Sequence, residues 1–413
     1  MAAEPGIRTA AADDAEGGPP RATRGLTALL TCAMAFSMMQ LFLLGALGPR
    51  LVGELGISPT VLGLTTTVGF GTAAVLSPVG GRVVDRVGPR RCLVALLLIS
   101  AVALALIGAA PGAGLLLGAV ALGGLPQALA NPATNKAILA AVPAPQRGPV
   151  TGMKQSGVQL GAFAAGLPLA ALAGGIGWRG AVWTAAGTAV AAAFWAARRL
   201  PADPPPAAAK PGGGRMPLRP RGHIAWLTVF SLFLGCGIAS VNTYLALFGA
   251  QRLGLGPTAA GAMVAVLGVA GIAGRVWWSK LAGRPGLGEW LPGWLAAGAV
   301  AAALMLAGAT SFHPLAWAAA AAVGIFAVSG NAVSMVLVMR RAAAGRAGLD
   351  SALVSAGFFA GFAVGPPLFG LLADAGRYGP GWLLVAAEFT AACAISTLWA
   401  ARDRRATPAG AAA

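Results

Sequence analysis

Eight stretches of this chain contain no Asp, Glu, Lys or Arg: residues 25–49, 55–81, 92–135, 155–178, 222–251, 253–274, 290–339 and 351–373. Each is long enough to cross a bilayer as a helix, which takes ~20 apolar residues. Two of them, 92–135 and 290–339, are too long for one crossing and break near the middle at Pro111-Gly112 and His313-Pro314, so each reads as a helical hairpin. Weaker windows after Arg179 and around Glu388 complete twelve spans, at about 25–47, 59–79, 90–110, 114–138, 148–172, 179–197, 223–249, 257–278, 290–309, 314–339, 349–373 and 380–401. Only 10% of residues are charged, against ~25% in soluble domains, so most of the surface must face lipid.

The first 24 residues carry Glu4, Asp13, Asp14 and Glu16 and lack the basic start and cleavage site of a secretory signal, so span one is expected to stay in the mature protein. The formal charge of +17 would suggest a nucleic-acid partner on a soluble chain, but no aromatic-interleaved basic patch appears. Topology accounts for the charge instead. With both termini cytoplasmic, that side carries Arg82, Arg86, Arg90, Arg91, Arg147, the cations between Arg198 and Arg221, Arg340, Arg341 and Arg346. The opposite side carries Arg50, Arg179, Arg252 and Arg377, the asymmetry of a multi-pass plasma (inner) membrane protein. Cys32, Cys92, Cys236 and Cys393 fall in or beside apolar spans and read as small buried residues. The two histidines, His223 and His313, sit near span ends, and no nucleophile–base set or metal-spaced cluster accompanies them, so no enzyme, cofactor or metal site is expected.

The chain repeats itself. Leu55, Gly56, Pro59, Thr60 and Gly63 recur as Leu253, Gly254, Pro257, Thr258 and Gly261, at an offset of 198. Asn131 matches Asn331, and Gly157 and Gly161 match Gly357 and Gly361, at 200. The reading is an all-α membrane protein of two pseudo-symmetric six-helix bundles, 25–197 and 223–401. A disordered tail (1–24) precedes them, a mobile Pro- and Gly-rich cytoplasmic linker (198–222) joins them, and a cytoplasmic tail (402–413) follows. Two parallel six-helix repeats belong to carriers that expose a central site to either side in turn.

Between spans two and three, residues 81–91 read GRVVDRVGPRR. Gly81, Asp85, Arg86, Gly88, Arg90 and Arg91 resemble the cytoplasmic loop motif of the major facilitator superfamily, with Pro89 inserted before Arg90. Glycines there permit a tight turn and close helix approach. The resemblance implies that Asp85 docks against the start of span eleven, near Gly348 to Ser351, and latches the cytoplasmic side shut. The second half keeps only Arg284 and Gly286 of the motif. A dinucleotide-like run, Gly69 to Ala74, lies inside an apolar span with no preceding strand and is set aside.

Polar residues inside the spans mark the candidate site. Gln127, Asn131 and Asn135, spaced by four, share one helix face. Span five contributes Lys154, Gln155 and Gln159, span one Gln40, span seven Asn242 and Tyr244, and span ten Asn331. The resemblance places a cavity between spans one, two, four and five and their counterparts seven, eight, ten and eleven. The alternative for any single amide is an interhelical hydrogen bond. A charge within a span costs at least ~2.5 kcal/mol on insertion scales, so Lys154 requires water, a partner or a substrate, whereas Lys136, nearer its span end, is expected to reach the surface.

Two features expected of drug exporters in this superfamily are not found in their places: span four has no Arg before its glycines, and the interior of span five has Gly157, Gly161 and Gly166-Leu167-Pro168 rather than an adjacent Gly-Pro pair, although Gly365-Pro366-Pro367 in the second half has one. The sequence therefore points to secondary active transport of a small solute, with a preference for an organic anion, by a monomer coupled to a proton or ion. Proton-coupled efflux of a drug or natural product, and a non-transporting receptor or scaffold, are the alternatives.

Overall fold

Proline and glycine set where the helices begin and end. α3 (Pro59–Val87) starts at Ser58, whose Oγ accepts a hydrogen bond from Val61 N at 3.2 Å, with Pro59 in the first turn, where its missing N–H costs nothing. The short α2 (Gly48–Leu55) before it ends on Gly56 in the left-handed region. In the computed structural model, residues 21–143, 146–203, 222–282, 289–341 and 347–406 are described, and they contain helices and turns but no strand. The first half comprises α1 (Arg21–Ala46), α2, α3, α4 (Pro89–Ala109), α5 (Ala113–Ala141), α6 (Arg147–Ala164) and α7 (Ala170–Arg199). The second comprises α8 (Gly222–Arg252), α9 (Pro257–Ala282), α10 (Leu291–Gly308), α11 (Leu315–Val323), α12 (Ser329–Arg341), α13 (Ala347–Asp374) and α14 (Tyr378–Ala406).

Eleven helical runs among these residues are long and apolar enough to span a membrane. The longest, Val150–Arg199, turns back at Gly177 (φ 75°, ψ 162°) and so makes two crossings, twelve in all. Each expected span has its helix. The largest departure is the second, which runs to Val87 rather than ending near residue 79. Hydropathy locates the part of a helix inside lipid, while the helix continues until Gly88 (φ 98°) stops it.

The sequence repeat is a repeat in space. Gly56 and Gly254 hold the same left-handed turn, with φ of 63° and 65°. Gly157 and Gly161 of α6 pack against the carbonyls of Thr31 and Ala35 in α1. Their counterparts Gly357 and Gly361 of α13 pack in the same way against the carbonyls of Thr228 and Leu232 in α8. A Cβ at any of these four glycines would run into a backbone oxygen, so the glycine pairs permit the tightest crossing in each half.

The buried core is asymmetric across the membrane. An even number of crossings puts the described ends, at Arg21 and Ala406, on one side, here called the terminal side. On the far side one continuous hydrophobic cluster joins both halves, running through Leu43, Leu47, Phe70, Tyr244, Phe248 and Phe369. On the terminal side the core divides into a first-half cluster, including Leu30, Leu97 and Ala133, and a second-half cluster, including Leu227, Leu295 and Val338.

Most polar contacts between the halves lie on the far side as well, with a bond from Arg275 to Gln155 O as an exception nearer the terminal side. Far-side bonds between the halves run from Thr60 N to Asp374 Oδ1 at 3.2 Å, from Thr60 Oγ1 to Asp374 Oδ2, between Thr66 and Thr243 at 3.0 Å, and from Thr67 Oγ1 to Ala363 O at 2.7 Å. Phe70 of α3 meets Phe362 and Phe359 of α13, with ring centroids 4.5 and 5.6 Å apart.

Candidate substrate site

Lys154 stands two turns inside α6 and is completely buried. Its Nζ donates to Thr134 Oγ1 at 2.7 Å and Asn135 Oδ1 at 2.5 Å, both on α5. Thr134 in turn donates to Ala130 O at 2.6 Å, which leaves its oxygen lone pairs turned to the ammonium. One residue along α6, Gln155 Nε2 donates to Asn131 Oδ1 at 3.2 Å, so the four-residue spacing in α5 presents both asparagines to α6. From the other half, Arg275 Nη1 of α9 donates to Gln155 O at 3.3 Å. Its Nε is sealed from solvent and has no partner.

Two cations, one from each half, thus flank Gln155. No carboxylate among the described residues pairs with either of them; their partners are the neutral oxygens of Thr134, Asn135 and Gln155. Asn135 is exposed, and Asn131, Gln155 and Arg275 are half-buried, so the cluster borders open space where the core has divided.

Other candidates lie elsewhere. Tyr244 is fully buried on the far side, its hydroxyl shared between Pro59 O (2.8 Å) of the first half and Pro366 O (2.9 Å) of its own, and does not join the Lys154 cluster. Asn242 Nδ2 donates to Ile238 O of its own helix at 3.0 Å. Gln159 is buried at the α6–α9 crossing beside Gly268 and Gly271, its Oε1 unpartnered. Asn331 is half-buried in α12, just past a π-helical turn (Gly324–Val328), its Oδ1 sealed without a partner. Gln40 and Gln127 lie buried within the first half, between α1, α3 and α5. Lys136 does not simply reach the surface, since its Nζ donates to Val84 O at 3.2 Å. Glu388 is buried in α14 beside Cys236, with Oε2 unpartnered.

In the loop motif, Gly88 holds the left-handed turn that opens α4, while Gly81 faces open space and the close approach falls one residue earlier, where Gly80 meets Ala128 O. Arg86 is exposed. The side chain of Asp85, and those of Arg82, Arg340, Arg341 and Arg346, lie outside the described residues. The start of α4 is capped from a distance: Asp203 accepts from Arg90 N at 2.7 Å and Arg91 N at 3.0 Å, and the Arg90 guanidinium donates to Ala197 O. The first residues of the linker, expected to be mobile, are therefore held against the motif; residues 204–221 lie outside the described residues.

Sequence reasoning missed Arg275, Thr134, Asp203 and Asp374. For Arg275 a signal existed: Gly268, Gly271 and Arg275 recur at helical spacing, and the two glycines are those that meet Gln159, so the next turn faces α6 as well.

Twelve crossings in two equivalent halves, with polar residues on facing helices, define a secondary transporter of the alternating-access class. The sequence matches the Major Facilitator Superfamily model over residues 30–352, and the chain belongs to that family. No curated protein matches it. Among solved structures it is similar to a bacterial homologue of the human lysosomal transporter Spinster, in an inward-facing and occupied conformation. That match has a TM-score of 0.73 and 18% identity, and covers 93% of this chain and 98% of that one. The same homologue in an inward-facing and unoccupied conformation gives a TM-score of 0.73 at 16% identity, covering 95% and 100% of the two chains. The nucleoside transporter NupG gives 0.72 at 12% identity, covering 91% and 99%.

Proposed function

We propose that this transporter carries a small organic anion, held between Lys154 and Arg275 with Asn131, Asn135 and Gln155 as neutral partners. The observation that carries the reading is the ammonium of Lys154, fully buried and bonded only to neutral oxygens. A buried charge left with dipoles alone is costly, and an anion entering the site supplies the compensation that the chain does not. Because the two cations come from opposite halves, the anion attracts both and favours closure of the terminal side around itself.

With the termini in the cytoplasm of a cell bounded by this plasma membrane, the site opens to the cytoplasm in the described state. Opening outward requires the far-side bonds at Asp374 and Thr66 to break and the two terminal-side clusters to meet. Asp85 and its loop, at the terminal end of α3, are placed to latch that second state. Gln159 and Asn331, whose unpartnered oxygens lie on the α6–α9 face and on α12, complete the polar surround.

The test is flux of radiolabelled carboxylates and phosphate esters into proteoliposomes. Lys154→Gln and Arg275→Gln are each expected to lower anion flux at least tenfold, with unchanged membrane insertion and monodispersity. Undiminished anion flux in both variants refutes the site, and efflux of an amphipathic drug that survives Lys154→Gln moves the assignment to an exporter.

A further inference from the structure

The terminal end of the second half gathers six of the eleven tryptophans: Trp226, Trp277, Trp278, Trp290, Trp294 and Trp399. Tryptophan is favoured at the level of lipid headgroups, where its ring meets hydrocarbon and its N–H meets water. Trp294 is 53% exposed and Trp277 66%, so both rings face outward from the bundle. Two arginines near the end of α14 lie on these rings. The guanidinium of Arg402 is 5.4 Å from the centre of the Trp226 ring, at the start of α8, and that of Arg404 is 5.0 Å from the centre of the Trp290 ring, at the start of α10. Both arginines are exposed, and among the described residues neither has a carboxylate partner; the nearby acids Glu289 and Asp403 have contacts of their own.

A guanidinium stacked on a ring is held by its face, which leaves the planar edge of N–H donors free to fork onto a phosphate. On the α10 flank the arrangement continues inward. Trp294 N donates to Trp290 O at 3.1 Å, so Trp294 stands on the same helix face one turn, ~6 Å, deeper in the membrane. A cation at headgroup level above a lipid-facing ring complements a molecule with an anionic phosphate above and hydrocarbon below. We infer that the α10–α14 edge of the second half seats an anionic phospholipid, its phosphate on the fork of Arg404 and its glycerol and upper acyl chains against Trp294. A free phosphate engages Arg404 alone and makes no use of Trp294. An arginine present only to complement the C-terminal dipole of α14 is replaceable by lysine, whereas a forked, ring-stacked seat is not. The seat uses no residue of the Lys154–Arg275 cluster and stands independently of the anion reading.

The experiment is native mass spectrometry of the purified full-length transporter in detergent, titrated with dioleoylphosphatidylglycerol or with zwitterionic dioleoylphosphatidylcholine. The first phosphatidylglycerol is expected to bind at least about fivefold more tightly than phosphatidylcholine, the yield of one net charge at the membrane surface. Arg404→Lys keeps the charge but loses the fork, and should weaken phosphatidylglycerol binding at least about tenfold. Trp294→Ala should weaken it as well. Arg199→Lys, at an exposed position on the corresponding end of α7, should leave it within about twofold of wild type. Equal affinities for the two lipids in wild type, or full phosphatidylglycerol affinity in Arg404→Lys, overturn the seat in favour of diffuse surface charge. Displacement of the lipid by ammonium phosphate, or binding unchanged in Trp294→Ala, overturns the lipid as the ligand in favour of a free anion.

Discussion

Asp374 is the test of how the far side is held shut. Its carboxylate, at the end of α13, caps the first turn of α3 through Thr60 N at 3.2 Å and also accepts from the Thr60 hydroxyl. Both bonds cross between the halves, and both must break when the far side opens. A side-chain cap at a helix N-terminus contributes ~0.5–2 kcal/mol, and the exposure of Asp374 argues for the middle of that range, ~1–1.5 kcal/mol. Asp374→Ala should therefore shift the equilibrium towards the far-side-open state by roughly five- to thirteenfold. Tyr244→Phe is the comparison, because its hydroxyl keeps Pro366 O of its own half when the halves part and loses only a shared bond to Pro59 O. A single phenolic proton divided between two acceptors predicts less than about threefold. Spin labels at the exposed residues Glu54 and Ala375, one in each half, would report the change as a distance distribution by pulsed electron paramagnetic resonance. If Asp374→Ala leaves the populations unchanged, or Tyr244→Phe moves them further than Asp374→Ala, the reasoning about which bonds resist opening is wrong.

Three further outcomes follow from the described contacts. Asp203→Ala removes both acceptors at the start of α4 and should destabilise the detergent-solubilised protein by ~1 kcal/mol, read as a lower melting temperature; an unchanged melt would show that the cap contributes nothing. Gly157→Ala and Gly357→Ala each force a methyl group onto the carbonyl of Thr31 or Thr228 and should cost similar stability, a test of the equivalence of the halves by thermal unfolding. Gly88→Ala meets both a left-handed φ of 98° and the carboxylate of Asp203, so it should lose more than Gly81→Ala, where the space is open.

Most of the fold was legible because lipid imposes a coarse rule: apolar length and the absence of charge locate a crossing, as the run from Leu253 to Gly274 shows. The duplication was legible for a related reason. Gly56, Gly254, Gly157 and Gly357 are glycines that geometry requires, so they recur at fixed offsets. The site was legible only in part. Helical spacing put Asn131 and Asn135 on one face, and a charge inside a span singled out Lys154 beside Gln155; the contacts that join these four form between helices of one half. Arg275 and Asp374 act across the interface between halves, and no spacing within one helix reveals which face meets a helix from the other repeat. Tyr244 shows the converse: a polar group in a span suggested a cavity wall, but its hydroxyl fits between Gly63 and Gly370 and bonds to backbone.

The anchoring of Asp203 beside α4 bears on what makes the two lobes move together. Once that carboxylate is fastened, the tether left between the lobes is residues 204–221, which at ~3.3–3.6 Å per residue can reach about 60 Å, further than a bilayer is thick. A tether of that reach is not needed to couple the lobes, because apolar packing and hydrogen bonds already join them on the far side. A chain cut within it, or two lobes expressed as separate polypeptides, should still assemble into a working pump, because the mechanical connection runs through the apolar seam they share.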